Sequence, residues 1–203
     1  MLSINPENQS ERDNYKLLTG GIIPRPIAFV TTESETGVLN AAPFSYFNIV
    51  SADPPMISVS IQRKEGEQKD TARNAEFKKE FVVHIVDESN VEKVNQTSAN
   101  LPADESEVEL AGLTPVESEM VSVPGLKESR FRMECVLEQN VQLGGNDGKP
   151  AADLLIGRIV RFHIDEAIYE KGRIHADELK AVSRLAGSHY AKLGEMFSLE
   201  RPK

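Results

Sequence analysis

Five runs along the chain place β-branched and aromatic residues as strands do: PIAFVTT (26–32), MISVSI (56–61), FVVHIV (81–86), FRMECVLEQNVQL (131–143) and DLLIGRIVRFHI (153–164). In the fourth, Phe131, Met133, Cys135 and Leu137 alternate with Arg132, Glu134, Val136 and Glu138, so one face is apolar and the thiol belongs to it. The last two runs make the clearest pair. Between them GGNDGKPAA offers an Asn146-Asp147-Gly148 tip with the positive-φ positions of a hairpin or slightly longer loop. Helical patterns intervene at DNYKLLTG, ended by Gly20 and Gly21, at DTARNAEFKKE, and at ESNVEKVNQTSA, where Val91 and Val94 share a face. HYAKLGEMF, near the C-terminus, is short and helix-compatible. Strands outnumber helices and do not alternate with long crossover helices, which predicts a mainly β fold with appended helices, a barrel rather than a doubly wound sheet. All 203 residues fit one domain of that kind.

Two segments break the pattern. NAAPFSYFN (40–48) fits neither strand nor helix well: Pro43 lacks a donor, and Asn40, Ser45 and Asn48 stand among Phe44, Tyr46 and Phe47. It presents backbone and short polar groups beside flat apolar surface. Residues 102–123, PADESEVELAGLTPVESEMVSV, are acidic and lightly apolar, a surface excursion that either covers a site or is a solvated connection.

Charge and composition narrow the chemistry. A formal net charge of −9 argues against a general binder of nucleic acid or anionic membrane, so an anion must be caught locally. The single cysteine excludes an intrachain disulfide, the N-terminus lacks an apolar signal core, and no run approaches membrane-spanning length; a cytoplasmic protein is expected. No CxxC, HExxH, GxSxG, P-loop or GxGxxG occurs, so metal and nucleophilic chemistries lack residues to carry them. His84 and His163 sit inside strands. The chemistry then belongs to a bound cofactor. For a phosphate, KDTARNAEFKKE is the candidate: Asp70 or Thr71 caps a helix whose start presents N–H groups and the positive dipole end, with Lys69 beside it. An ordinary capped surface helix is the alternative.

The order PRPIAFVTT, NAAPFSYFN, DPPMISVSI, KDTARN and FVVHIV, followed by SRLAGSHYAKLGEMFSLERP, resembles the flavin reductase-like family, in its flavoredoxin-type branch, from about Tyr15 to Pro202. The resemblance implies an FMN-binding split β-barrel of Greek-key type. It implies non-covalent FMN, with Thr31 and Thr32 near the ring, Asn40, Ala41, Ala42 and Pro43 along its edge, and Ser45 towards the ribityl chain or phosphate. Lys69, Asp70 and Thr71 would hold the phosphate end and Arg184 would lie near the flavin, and Arg25 and Ser60 complete the cofactor-binding set. Ala186 and His84 depart from the family pattern, which has RLGG and FVVNIV there. The implied activity is an NAD(P)H-dependent FMN reductase, with NADH or NADPH as co-substrate; the alternative is an FMN electron carrier reduced by a protein partner. No protein residue is singled out as catalytic, because hydride transfer to flavin needs ring stacking more than acid or base. A homodimer is implied, and a redox protein or monooxygenase partner is compatible with it.

Overall fold

The computed structural model describes residues 1–145 and 148–202, so the expected Asn146-Asp147 tip lies outside the described residues. In chain order the strands are β1 (Ala28–Glu33), β2 (Leu39–Phe44), β3 (Phe47–Ala52), β4 (Pro55–Gln62), β5 (Glu80–Ile85), the short β6 (Pro115–Val116) and β7 (Gly125–Leu126), the long β8 (Phe131–Leu143) and β9 (Ala152–Ile164), then β10 (Tyr169–Glu170), β11 (Arg173–Ile174), β12 (Val182–Arg184) and β13 (Tyr190–Lys192). The helices are α1 (Glu11–Gly21), α2 (Asp70–Lys78), α3 (Val91–Gln96), α4 (Glu107–Leu110) and α5 (Ala176–Leu179).

Seven strands form one antiparallel sheet in the order β2-β1-β5-β8-β9-β4-β3. Its two edge strands, β2 and β3, are joined by only Ser45 and Tyr46, so the sheet must roll until its edges meet. The edges share no ladder, and the Ser60 N–H bonds the Tyr46 carbonyl (2.8 Å) beside the seam. This is the split barrel, and the β8–β9 hairpin inserted between β5 and β4 gives it the Greek-key order.

The alternation read from the sequence sorts residues onto the two faces. Ala28, Val30, Val59, Ile61, Phe81, Val83, Met133, Cys135 and Leu155 fill the barrel, with Ala72 and Ala75 of α2 plugging its end. Cys135 is buried as expected, and burial pushes its thiol pKa up. A second layer forms outside β1 and β2, where Phe29, Ala41 and Leu126 meet Val94, Val108 and Leu113.

Three local expectations are corrected. NAAPFSYFN is not an irregular segment: Asn40–Phe44 ends β2, Phe47 and Asn48 begin β3, and the turn is two residues long. Helix α1 runs through Gly20 and Gly21, and stops only where the Ile22 N–H bonds the Leu18 carbonyl (2.9 Å). HYAKLGEMF is not helical: Tyr190–Lys192 pairs with β12, and residues 193–202 carry neither helix nor strand. In the two strand segments a tertiary partner outweighed local propensity, whereas α1 ends on a local i→i−4 bond just past its glycines. No helix is long and apolar enough to cross a membrane among the described residues.

Candidate functional site

Two hollows, of about 330 and 190 Å3, share Pro43, Phe44 and Ser98 in their walls and so run as one groove along the free edge of β2. The backbone explains the edge. Ser106 Oγ donates to the Leu39 carbonyl and the Ala41 N–H donates to Glu107 Oε2 (3.2 Å), so residues 39 and 41 direct their polar groups away from β1. In an antiparallel ladder this alternation puts Pro43 outward as well, where its missing N–H breaks no ladder bond. Residues 41 and 43 therefore offer no free outward donor: the Ala41 N–H is taken by Glu107 and Pro43 has none, so their carbonyls face out instead.

At one end lies the start of α2. Lys69 is its N-cap in extended conformation with no side-chain cap, and the first helical bond runs from the Arg73 N–H to the Lys69 carbonyl (3.0 Å). The N–H groups of Asp70, Thr71 and Ala72 precede that bond and have no intrahelical acceptor. Lys69 is exposed and pairs with no carboxylate among the described residues; its Nζ lies 6.0 Å from the Phe44 ring centre, and desolvation, then the Lys64 charge, lower its pKa. Capping by Asp70 or Thr71, as the sequence suggested, does not occur. The Asp70 carboxylate pairs with Arg73, and the Thr71 hydroxyl donates to Asn40 Oδ1 (2.9 Å).

Asn40 organises what lies beneath. Its Oδ1 also accepts from the Thr32 hydroxyl (3.3 Å), whose oxygen accepts from Asn74 Nδ2 (3.4 Å), and its Nδ2 donates to Glu107 Oε2 (2.9 Å). Glu107, only 6% exposed, comes from the acidic excursion and lines the same hollow as Lys69 and Thr71. Burial raises its carboxyl pKa, with the Asp70 charge adding to this against the Ala41 and Asn40 hydrogen bonds. Nothing local in the sequence marks Glu107; an acidic residue opposite a strand edge 66 positions away is visible only in three dimensions.

At the other end the Arg184 guanidinium lies 4.5 Å from the Tyr190 ring centre and donates to the Gly187 carbonyl. Gly187, at φ +61°, carries the turn there, so Ala186 needs no unusual backbone. Arg25 is buried and engaged: it donates to the carbonyls of Thr19 (2.8 Å), Ile22 and Leu185 (2.9 Å) and to Ser45 Oγ (3.3 Å), tying α1 to the segment after β12. The structure thus brings Asn40, Ala42, Pro43, Ser45, Lys69, Asp70, Thr71 and Arg184 into the walls of one groove. Thr32 and Ala41 lie behind it, and Arg25 supports Ser45. Thr31 lies elsewhere, its hydroxyl on the Pro124 carbonyl (2.8 Å), and Ser60 lies outside both hollows. His84, the other departure, is a buried neutral pin. Its Nδ1–H donates to the Phe29 carbonyl and its Nε2 accepts the Leu126 N–H (both 2.9 Å), and burial holds its pKa down to about 4.

A rolled seven-stranded sheet with a groove of this kind at its seam defines a class, and the comparisons agree with it. Residues 20–180 match the flavin reductase like domain, and the chain belongs to that family. It is 57% identical over 204 residues to YwrF of Bacillus subtilis, covering 100% of both chains. Among solved structures it resembles nitrilotriacetate monooxygenase component B from Bacillus cereus, at TM-score 0.97 and 68% identity over 98% of each chain. It also resembles 2-nitrobenzoate 2-nitroreductase NbaA from Pseudomonas fluorescens, at TM-score 0.88 and 28% identity over 99% of this chain and 96% of that one.

Proposed function

We propose that the chain binds FMN non-covalently in the groove along β2 and acts as an NAD(P)H-dependent FMN reductase. The observation that carries the reading is the uncapped start of α2 with Lys69 beside it, opening into a groove with an apolar wall. Free first-turn N–H groups and an unpaired ammonium suit a phosphate. Pro43 and Phe44 offer flat apolar surface, and the outward carbonyls of β2 accept from hydroxyl or ring N–H donors. One phosphate cradle, with no dinucleotide-binding turn, favours FMN over FAD. When bound, the flavin supplies the hydride acceptor; the protein's part is to hold and orient it and leave one face open.

The relative from Bacillus cereus is named as one component of a monooxygenase. On that analogy, reduced flavin made by this chain serves a partner oxygenase. The test is anaerobic: NADH or NADPH added to the FMN-loaded protein is expected to bleach the flavin absorbance in a stopped-flow trace. Bleaching by a reduced protein donor but by neither nicotinamide makes the chain an electron carrier instead. Failure to take up FMN at all removes both readings.

A further inference from the structure

A separate hollow of about 480 Å3 opens where β8 begins and β9 ends, with β1 and β5 standing between it and the groove edge in the sheet order. Lys127, Arg130 and Arg132 line it beside Phe162, His163 and Asp165. Asp165, its one carboxylate, pairs with Arg130 (3.2 Å), which also donates to the Glu178 carbonyl (2.6 Å). Neighbouring carboxylates are committed as well: Glu119 pairs with Arg161 (3.2 Å), and Glu134 accepts from His163 and from the Glu119 and Met120 N–H groups.

The Arg132 guanidinium has neither an ion pair nor a hydrogen bond among the described residues, yet its side chain is packed, and its backbone lies in the β5–β8 and β8–β9 ladders. A Cβ on Gly125 would stand 2.9 Å from its Cδ and 3.0 Å from its Nε, so the missing side chain of Gly125 is the notch in which the arginine lies. Desolvation lowers its pKa, with only partial compensation from Glu134 and Glu119. In a chain of net charge −9, this half-buried guanidinium faces a hollow whose one carboxylate, Asp165, is paired with Arg130, and it has no ion-pair partner of its own among the described residues. Phe162 adds an apolar surface. It is 46% exposed and stacked parallel on Phe131 at 6.1 Å.

We propose that this hollow is a second binding site, taking a small molecule with a carboxylate or phosphate head on a flat apolar body. The head would lie between Arg132 and Lys127 and the body against Phe162. The site is independent of the flavin reading. Phenyl phosphate, benzoate and inorganic phosphate, titrated calorimetrically into the FMN-treated protein, test it. Expected are saturable binding, tighter for phenyl phosphate than for inorganic phosphate, and a loss of at least about tenfold in Arg132→Gln with a smaller loss in Lys127→Ala. FMN titrations should be unchanged in both variants. Should Arg132→Gln not fold, the exposed Lys127→Ala decides. Absence of saturable binding, or binding untouched by Lys127→Ala and Arg132→Gln, overturns the site; loss in Lys69→Ala instead assigns the anion to the groove along β2. Equal affinity for phenyl and inorganic phosphate removes the apolar body from the proposal.

Discussion

Lys69 forms no ion pair among the described residues, so removing its ammonium tests ligand binding with little effect on the fold. Lys69→Ala is expected to weaken FMN by about tenfold to a hundredfold, the worth of a charge-assisted hydrogen bond at roughly 1.5–3 kcal/mol. Riboflavin, which lacks the phosphate, should bind as before, and fluorescence titration of both flavins separates the two. Glu107 makes a prediction in pH. Its folded-state pKa is raised, so above the ordinary carboxylate value the folded protein holds more of this proton than the unfolded one, and the group's contribution to stability falls as pH rises. Glu107→Gln keeps an acceptor for Asn40 and Ala41 but cannot ionise. The melting temperature of wild type minus that of Glu107→Gln should therefore fall as pH rises above the ordinary carboxylate range; a difference that grows in favour of wild type with pH would contradict the assignment.

Among the elements, β8 and β9 were the most legible, because a strand's two-residue period shows directly in Phe131, Met133, Cys135 and Leu137. Helix α2 was legible too, but its role was only half visible: the first turn was found, whereas its lack of a cap depends on the Thr71 hydroxyl turning to Asn40, 31 residues away. The excursion 102–123 gave least to a local reading. Its irregular end is fixed by contacts that no periodicity reports, such as Glu80 receiving the Ser122 N–H (2.7 Å) and Glu134 receiving that of Met120 (2.6 Å). Of its two readings, covering a site describes Glu107, while a solvated connection does not describe Val121 and Val123, which are buried against Val82. Strand β9 carries a packing prediction. A Cβ on Gly157 would fall 2.3 Å from Cζ of the fully buried Phe81 and 3.3 Å from Cβ of Cys135. Gly157→Ala is expected to cost about 1–3 kcal/mol in a denaturant titration, the usual scale of overpacking.

At the scale of the whole molecule, apolar side chains remain uncovered on α1 (Leu17, Leu18), just after it (Ile22) and on β3 (Ile49, Val50), Ile49 at 76% exposure. Such surface favours the homodimer that the family resemblance implied. Light scattering at micromolar concentration is expected to give twice the chain mass, and Ile49→Asp to shift it towards one. The split barrel was readable from the order of motifs, while Arg25 shows the limit: its place in the sequence matched a cofactor-binding residue, but its guanidinium holds three backbone carbonyls together.

The free edge of β2 also bears on what the chain does before any ligand arrives. A bare strand edge is a template on which a second chain can add, the first step towards insoluble fibres. Here Pro43 offers an intruding strand no donor, and Glu107 occupies the donor of Ala41. Both features leave an intruding strand fewer donors on this edge. Truncating Glu107 would expose the Ala41 N–H on the edge of β2, and failure of that variant to bind FMN would then reflect precipitated chains as readily as an altered groove.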